Sequence, residues 1–396
     1  MQNGLRRVRR RGLNDGSAEK LMNLLVLMTF DVSLVLWDQI GIIDRELAPY
    51  QKMSERGVGV TLVTFGCEDD LLYEKKYPFL TIVPVYKLAT RPKKRILRML
   101  FSLAIPYKYR KTFRSASVWK TNQLYGGWVL LVARFFFKKP IVVRCGYEFV
   151  SAAQDTGAGS LRLAMMRQYS RMMYRFAAHI IVASKRMSDL VQADYGADSE
   201  KITIIGNGID LMQFSKQPSN SGNRVLFVGR LEPIKNIPLI LKAAAVAQVP
   251  CDIVGEGSLR NELEELAEHL SLDCRFLGKI ENFELPAKYS EALVLILCSI
   301  SEWSPKVVLE AMACQCPVVG VNSPGINELI VHEKTGFLVE PTSSAVADAI
   351  CRVQTEKILI DEICINGRRF VEEHHNHEAN ASNECSVYRR VSSAFV

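Results

Sequence analysis

The chain alternates short β-branched apolar runs with amphipathic helical stretches, and it does so twice. In the first half, Leu24 to Phe30, Val58 to Phe65, Val118 to Thr121, Ile141 to Arg144, His179 to Ala183 and Lys201 to Ile205 predict strands. Helical spacing fills the gaps, as at Ile43 to Glu55 and Leu161 to Phe176. The second half restarts the pattern with Arg224 to Val228, Cys251 to Val254, Arg275 to Leu277, Val294 to Cys298, Val318 to Val321 and Gly336 to Val339. Its helices are predicted over Pro238 to Gln248, Leu259 to Leu270, Pro305 to Cys314 and Ala345 to Gln354. Continuous apolar strands joined by helical crossovers are the mark of parallel sheets buried on both faces. The fold class is therefore α/β, with two doubly wound Rossmann-like domains facing across a cleft.

The boundaries follow from the same pattern. Residues 1–21 read as a basic extension, 22–209 as the first domain, 210–223 as a turn-rich linker and 224–365 as the second domain. Residues 366–396 read as a polar helical tail that returns to the first domain. In open parallel sheets ligands bind beyond the carboxyl ends of the strands, at the switch point of the strand order. Chemistry is thus expected where the two domains meet.

Composition narrows the class. The chain has 396 residues, 48% of them apolar and 23% charged, which excludes disordered and fibrous chains. No apolar run reaches the length of a membrane span; Trp128 to Phe137 is short and is broken by Arg134. Arg6, Arg7, Arg9, Arg10 and Arg11 lie well before the apolar run Leu24 to Met28, and Asp31 follows that run, so a secretory signal is not expected. A soluble, cytoplasmic protein is expected instead. None of the ten cysteines forms a Cys-x-x-Cys pair and several lie in apolar runs, as Cys298 does, which suits buried free thiols. His374, His375 and His377 sit among Glu372, Glu373 and Glu378, and read as a solvated helix surface in preference to a metal site.

Charge is unevenly spread. Between Lys75 and Tyr147 there are seventeen Lys and Arg and no acidic residue, although the whole chain carries only +8. The densest part, 91–120, interleaves Arg91, Lys93, Lys94, Arg95, Arg98, Lys108, Arg110, Lys111, Arg114 and Lys120 with Met99, Leu100, Phe101, Leu103 and Ile105. Cations among apolar residues suit docking on an anionic membrane surface. A basic groove for an anionic acceptor and a merely solvated helix face remain alternatives. Nucleic acid is disfavoured, because no recognised binding module accompanies the charge.

Three segments of the second half could carry chemistry. In the first, Gly229 ends a strand, and Arg230 and Lys235 follow in the loop before a helix opened by Asn236. Two cations at a strand's carboxyl end suit a diphosphate, although exposed loop cations are common. In the second, Gly255 and Gly257 permit a tight turn and bring backbone close to a ligand, or simply make the turn. The third is the most specific. A buried strand delivers Glu302; Ser304 can cap and Pro305 suits the first helical position, leaving the N–H groups of Lys306 and Val307 open for an anion. Glu310 lies within the same helix. The two carboxylates suit sugar hydroxyls on either side of a phosphate, or else a cap and a structural hydrogen bond.

The ordered set resembles the retaining glycosyltransferases of family four, which have the GT-B fold. The resemblance rests on Gly229, Arg230 and Lys235; on Val254, Gly255 and Gly257; on Phe276, Leu277 and Gly278; and on Glu302 and Glu310 with seven residues between them. Ala311 to Ala313, Pro317 to Val319, Pro324, Gly325, Glu328, Thr335 and Gly336 extend it, and Ile204 to Asp210 resembles the end of the family's first domain. It implies that Arg230 and Lys235 hold the donor's diphosphate, helped by the amides of Lys306 and Val307. It further implies that Glu310 binds the ribose, Glu302 the donor sugar, and the backbone at Gly278 and Lys279 the base. The loop from Leu36 to Gly41 would face the diphosphate from the first domain. The implied donor is a UDP- or GDP-sugar, the implied acceptor a glycan or lipid-linked molecule, and no cofactor or metal is required. The basic segment, in turn, suggests a cytoplasmic enzyme peripheral on the inner face of the membrane.

The chain also departs from the family. Trp303 and Gln315 stand where the family usually has glycine. The stretch from Arg144 to Phe149 lacks the histidine that many members place near the acceptor, which leaves Tyr147 and Glu148 as acceptor-side candidates. A nucleotide-binding scaffold that kept the fold and lost turnover is the rival reading.

Overall fold

The computed structural model describes residues 22–395 except 88, 156 and 219–221. The basic extension 1–21 and residues 219–221 of the expected linker lie outside the described residues. Among the described residues thirteen strands form two parallel sheets. The first holds β1 (Met22–Leu27), β2 (Val58–Thr64), β3 (Leu80–Pro84), β4 (Val118–Thr121), β5 (Ile141–Cys145), β6 (His179–Val182) and β7 (Ile202–Ile204), in the order β3-β2-β1-β4-β5-β6-β7. The second holds β8 (Val225–Val228), β9 (Cys251–Val254), β10 (Cys274–Gly278), β11 (Val294–Leu297), β12 (Val318–Val321) and β13 (Phe337–Val339), in the order β10-β9-β8-β11-β12-β13. Each order reverses once, between β1 and β4 and between β8 and β11.

Strand β3 escapes the periodicity because it is short and ends in Pro84. It is an edge strand, where a missing backbone N–H is tolerated. A second difference concerns the segment from Leu36 to Gly41, expected to be a loop. Residues Leu34–Gln39 are helical, capped by the Ser33 side chain at Leu36 N, and only Ile40 and Gly41 remain as a turn.

The tail forms two helices, Lys357–His374 and His377–Ala394. Ala381, Cys385, Val387, Tyr388 and Val391 of the last helix pack into the apolar layer beneath the first sheet. Where the helices break, Ile209 N donates to His375 O and His377 N to Ile209 O, so two crossings of the chain run side by side at the domain junction. This overturns the surface reading for two of the three histidines, while His374 stays exposed as expected. His375 and His377 are nine-tenths buried, and the break at Asn376 separates His374 and His377 onto different helices. Among the described residues no group of His, Cys, Asp or Glu is arranged to hold a metal ion.

Burial also splits the basic segment. Lys120, expected to face a membrane, is only 3% exposed; its Nζ lies 2.8 Å from Glu384 of the last helix, which also meets Arg144 Nη1 at 2.8 Å. Desolvation would raise the Glu384 pKa, but the two cations outweigh it and hold the carboxyl down at about 2. Arg98 is likewise committed, through Nε and Nη2 to Asp31 at 2.7 and 2.9 Å. These cations are structural. Lys93, Lys94, Lys108, Arg110, Lys111 and Arg114 make no ion pair among the described residues.

Candidate active site

The second sheet's switch point places the loops after β8 and β11 side by side. Ile300 N donates to Ile234 O at 2.9 Å, which sets Lys235 opposite Glu302, and their side chains form an ion pair. The Glu302 backbone is held from both domains. Its N–H donates to Pro324 O at 2.9 Å, while Arg186 Nη1 of the first domain donates to its carbonyl at 2.8 Å. A Cβ on Gly325 would lie 2.1 Å from Glu302 O, so only glycine allows this approach at φ +87°. Arg230 is exposed and makes no ion pair among the described residues.

Gly255 and Gly257 serve a contact that their spacing alone does not reveal. A Cβ at Gly255 would fall 1.8 Å from Gly229 O, and one at Gly257 would fall 2.4 Å from Leu231 O. Gly229 N donates to Val254 O and Leu231 N to Glu256 O, both at 2.9 Å; Gly255 N donates to Gly278 O at 2.8 Å. The glycines thus let three strand-end loops zip together by their backbones. Gly278, at φ +67°, ends the row, and next to it Lys279 pairs with Glu281 at 3.1 Å. Gly41 of the first domain closes on this pair: a Cβ there would lie 2.9 Å from Glu281 Oε2 and 3.2 Å from Lys279 Nζ.

The helix Lys306–Ala313 starts without a side-chain cap. Pro305 occupies the capping position in extended conformation, not the first helical position, and Ser304 does not cap. Ser304 Oγ is buried without a partner, and its carbonyl accepts Asn207 Nδ2 at 3.0 Å. The open amides at Lys306 and Val307 therefore remain a candidate anion site four residues beyond Glu302. The Lys306 side chain crosses the junction to Glu46, 3.3 Å away. Burial pulls its pKa down more strongly than Glu46 pushes it up.

Glu310 is only 2% exposed, and Tyr289 Oη donates to its Oε2 at 2.8 Å. Burial raises its pKa. With Lys306, Arg45, Asp210 and His377 it lines a junction cavity of about 190 Å³. His377 Nδ1 is buried without a partner, and desolvation lowers that imidazole to about 4. On the acceptor side, Tyr147 is partly exposed, but Glu148 is buried, accepting from Tyr195 Oη at 2.8 Å and from Ser151 N. Glu148 therefore opens the helix Phe149–Asp155 and is not free for an acceptor.

Arg186, Trp303, Glu328, Glu46 and His377 were not legible as a group. The Arg186 guanidinium stacks 4.4 Å above the Trp303 ring, and Trp303 packs against the first domain's core. Glu328, part of the motif, reaches across to accept the N–H groups of Lys185 and Arg186 at 2.8 and 2.9 Å. It thus satisfies the start of the helix Lys185–Tyr195 from the other domain. The polar run around His377 gave no signal of its burial.

Two family models tile the chain. "Glycosyltransferase Family 4" matches residues 49–213 and "Glycosyl transferases group 1" matches residues 209–370. An uncharacterized glycosyltransferase of Methanocaldococcus jannaschii, MJ1607, is 27% identical over 54% of this chain and 60% of its own. A Campylobacter jejuni N-acetylgalactosamine-N,N'-diacetylbacillosaminyl-diphospho-undecaprenol 4-alpha-N-acetylgalactosaminyltransferase is 28% identical over 62% of this chain and 69% of its own. With most curated relatives the match spans about half of their length or less. The crystal structure of Anabaena Alr3699/HepE in complex with UDP superposes with a TM-score of 0.73 at 20% identity, covering 93% of this chain and all of that one. The two matched halves, the two parallel sheets and the motif loops gathered at their junction place the chain in the family-four glycosyltransferases, with the GT-B fold.

Proposed function

We propose that the chain is a retaining hexosyltransferase that uses a UDP- or GDP-sugar and acts on a glycan or lipid-linked acceptor in cell-envelope polysaccharide or glycolipid synthesis. The observation that carries this reading is the Lys235–Glu302 pair at the switch point, a few residues from an uncapped helix start. That combination offers a cation and open amides to a pyrophosphate, and a carboxylate to the sugar attached to it. Arg230, free at the rim, adds a second cation. Glu310 and the Gly278–Lys279 backbone take the ribose and the base. The UDP held by the Anabaena structure and the diphospho-undecaprenol in the Campylobacter relative's name support the donor and acceptor classes.

In the reaction, the bond between the sugar's anomeric carbon and the diphosphate oxygen breaks first. The acceptor hydroxyl then attacks the same face, and its proton passes to the departing diphosphate. Cations and helix amides stabilise that leaving group, so no strong base is needed. The unpaired cations of 91–120 dock the enzyme on the inner face of an anionic membrane, where a lipid-linked acceptor resides.

Thermal stabilisation by a panel of nucleotide sugars, followed by assay of sugar release, tests the reading. Stabilisation and turnover by one donor support it. Trp303, bulky where the family has glycine, favours the scaffold alternative, which predicts nucleotide binding with no release of sugar. Absence of both would remove the donor site.

A further inference from the structure

The helices Trp128–Phe136 and Ser160–Phe176 lie together on the first domain, outside the segment 91–120. Between them is a groove of about 430 Å³, lined by Trp128, Leu131, Val132, Phe135, Met172 and Phe176, with Arg134 at its edge. Phe135 is 90% exposed, and Phe136 is also exposed. Leu161, Met165, Met172 and Phe176 recur at helical spacing along the outer face of the second helix, while Met173 and Tyr174 face the core. That helix therefore carries two apolar faces, and among the described residues only one is packed against the core.

The charge carried by the two helices is of one sign. The two helices contain Arg134, Arg162, Arg167, Arg171 and Arg175 and no acidic residue, and Lys138 and Lys139 follow the first. None of these cations makes an ion pair among the described residues. The groove is also continuous with the basic segment. The Arg114 guanidinium lies 5.7 Å from the Phe137 ring, and Trp128 Nε1 donates to Ser102 Oγ at 2.8 Å. Arg95 Nη2 reaches Tyr125 Oη at 3.1 Å, above the carboxyl end of β4.

We infer that this groove takes an acyl chain of an anionic membrane leaflet, with Phe135 as the inserted side chain. The inference rests on the membrane docking proposed above and deepens it. Basic residues of 91–120 bring the protein to the surface, and the groove fixes its depth and orientation. Charge complementarity selects this occupant: helices that carry cations and no acids match lipid phosphates, and the apolar trough between them matches the chains beneath. A protein partner would have to present an apolar ridge flanked by acidic side chains.

Flotation with phosphatidylcholine vesicles, and with phosphatidylcholine–phosphatidylglycerol vesicles, tests the inference. Phe135 is exposed, so Phe135→Ser leaves the fold intact. It should weaken binding to the anionic vesicles about tenfold or more, and Met172→Ser should weaken it less. In Phe135→Trp, the new indole should shift to the blue on anionic vesicles and be quenched by spin labels on the acyl chains. Wild-type strength of binding by Phe135→Ser, with an unquenched indole, would overturn the groove while leaving electrostatic docking in place. Equal binding of the wild type to both vesicles would overturn docking and groove together, without touching the donor site, which the nucleotide-sugar assay reads separately. Concentration-dependent dimers abolished by Phe135→Ser would instead assign the face to a second copy of the chain and overturn the inference.

Discussion

The two halves of the junction are built by opposite means. On the second-domain side, three loops are zipped by backbone hydrogen bonds and demand glycine at Gly255 and Gly257, so their chemistry is written locally. On the first-domain side, the chemistry is made of side chains that meet from distant parts of the chain: Lys120 and Arg144 with Glu384, Glu46 with Lys306, and Arg186 with Trp303. Backbone geometry leaves a residue signature that charge pairing does not. A run of cations looks the same whether it faces lipid, solvent or a buried carboxylate.

The largest expected effect breaks the first-domain side. Glu384→Ala strands two cations in a buried site and should cost about 3–5 kcal/mol in denaturant unfolding. The same carboxyl sets an acid limit. Its pKa falls from 4.5 unfolded to about 2 folded, so the stability it contributes is complete above about pH 4.5 and is lost as pH falls through 2. Glu384→Gln should remove that acid-range dependence. His377 acts earlier. It is held neutral with a folded pKa of about 4 against 6.5, so its contribution is complete above about pH 6.5 and declines as pH falls through 4.

Next in size, Lys235→Ala should lower turnover about 10²-fold or more, roughly 2.7 kcal/mol of barrier, in a sugar-transfer assay. Full turnover with unchanged donor affinity would detach the Lys235–Glu302 pair from catalysis. Gly255→Ala sharpens the backbone side: with a Cβ against Gly229 O at φ +135°, it should cost about 1–3 kcal/mol in thermal unfolding. Wild-type stability in that variant would show that the loops separate freely.

Smaller still, Trp303→Gly restores the family's usual residue and removes the Arg186 stack, for a loss of about 1–2 kcal/mol in unfolding. Donor affinity measured alongside reveals whether Trp303 obstructs the cleft or only braces it. The smallest effect has the opposite sign. Gln315 follows the Lys306–Ala313 helix at φ +56°, in the left-handed region where the family usually has glycine. Gln315→Gly should stabilise by about 0.5–1 kcal/mol, read as a raised midpoint.

Much of the architecture was legible from periodicity. Buried parallel strands such as Val225–Val228 and Val294–Leu297 are unbroken apolar runs, short enough and β-branched enough to read as strands. The placement of Glu302 and Lys235 near strand ends was legible too, whereas the helix start was only partly so, since Pro305 and not Ser304 holds the capping position. Glu148 was misread as available because one residue of separation from Tyr147 does not disclose that Tyr195 claims its carboxylate.

By itself the sequence determined two parallel sheets, the loops at their carboxyl ends and the residue types offered there, because strand burial, glycine turns and helix starts are short-range properties. Only the tertiary structure decided which charges are spent on one another, which histidines are buried, and which apolar stripe is left uncovered. Those outcomes depend on partners two or more elements away, and a side chain's neighbours in space leave no trace in its neighbours along the chain.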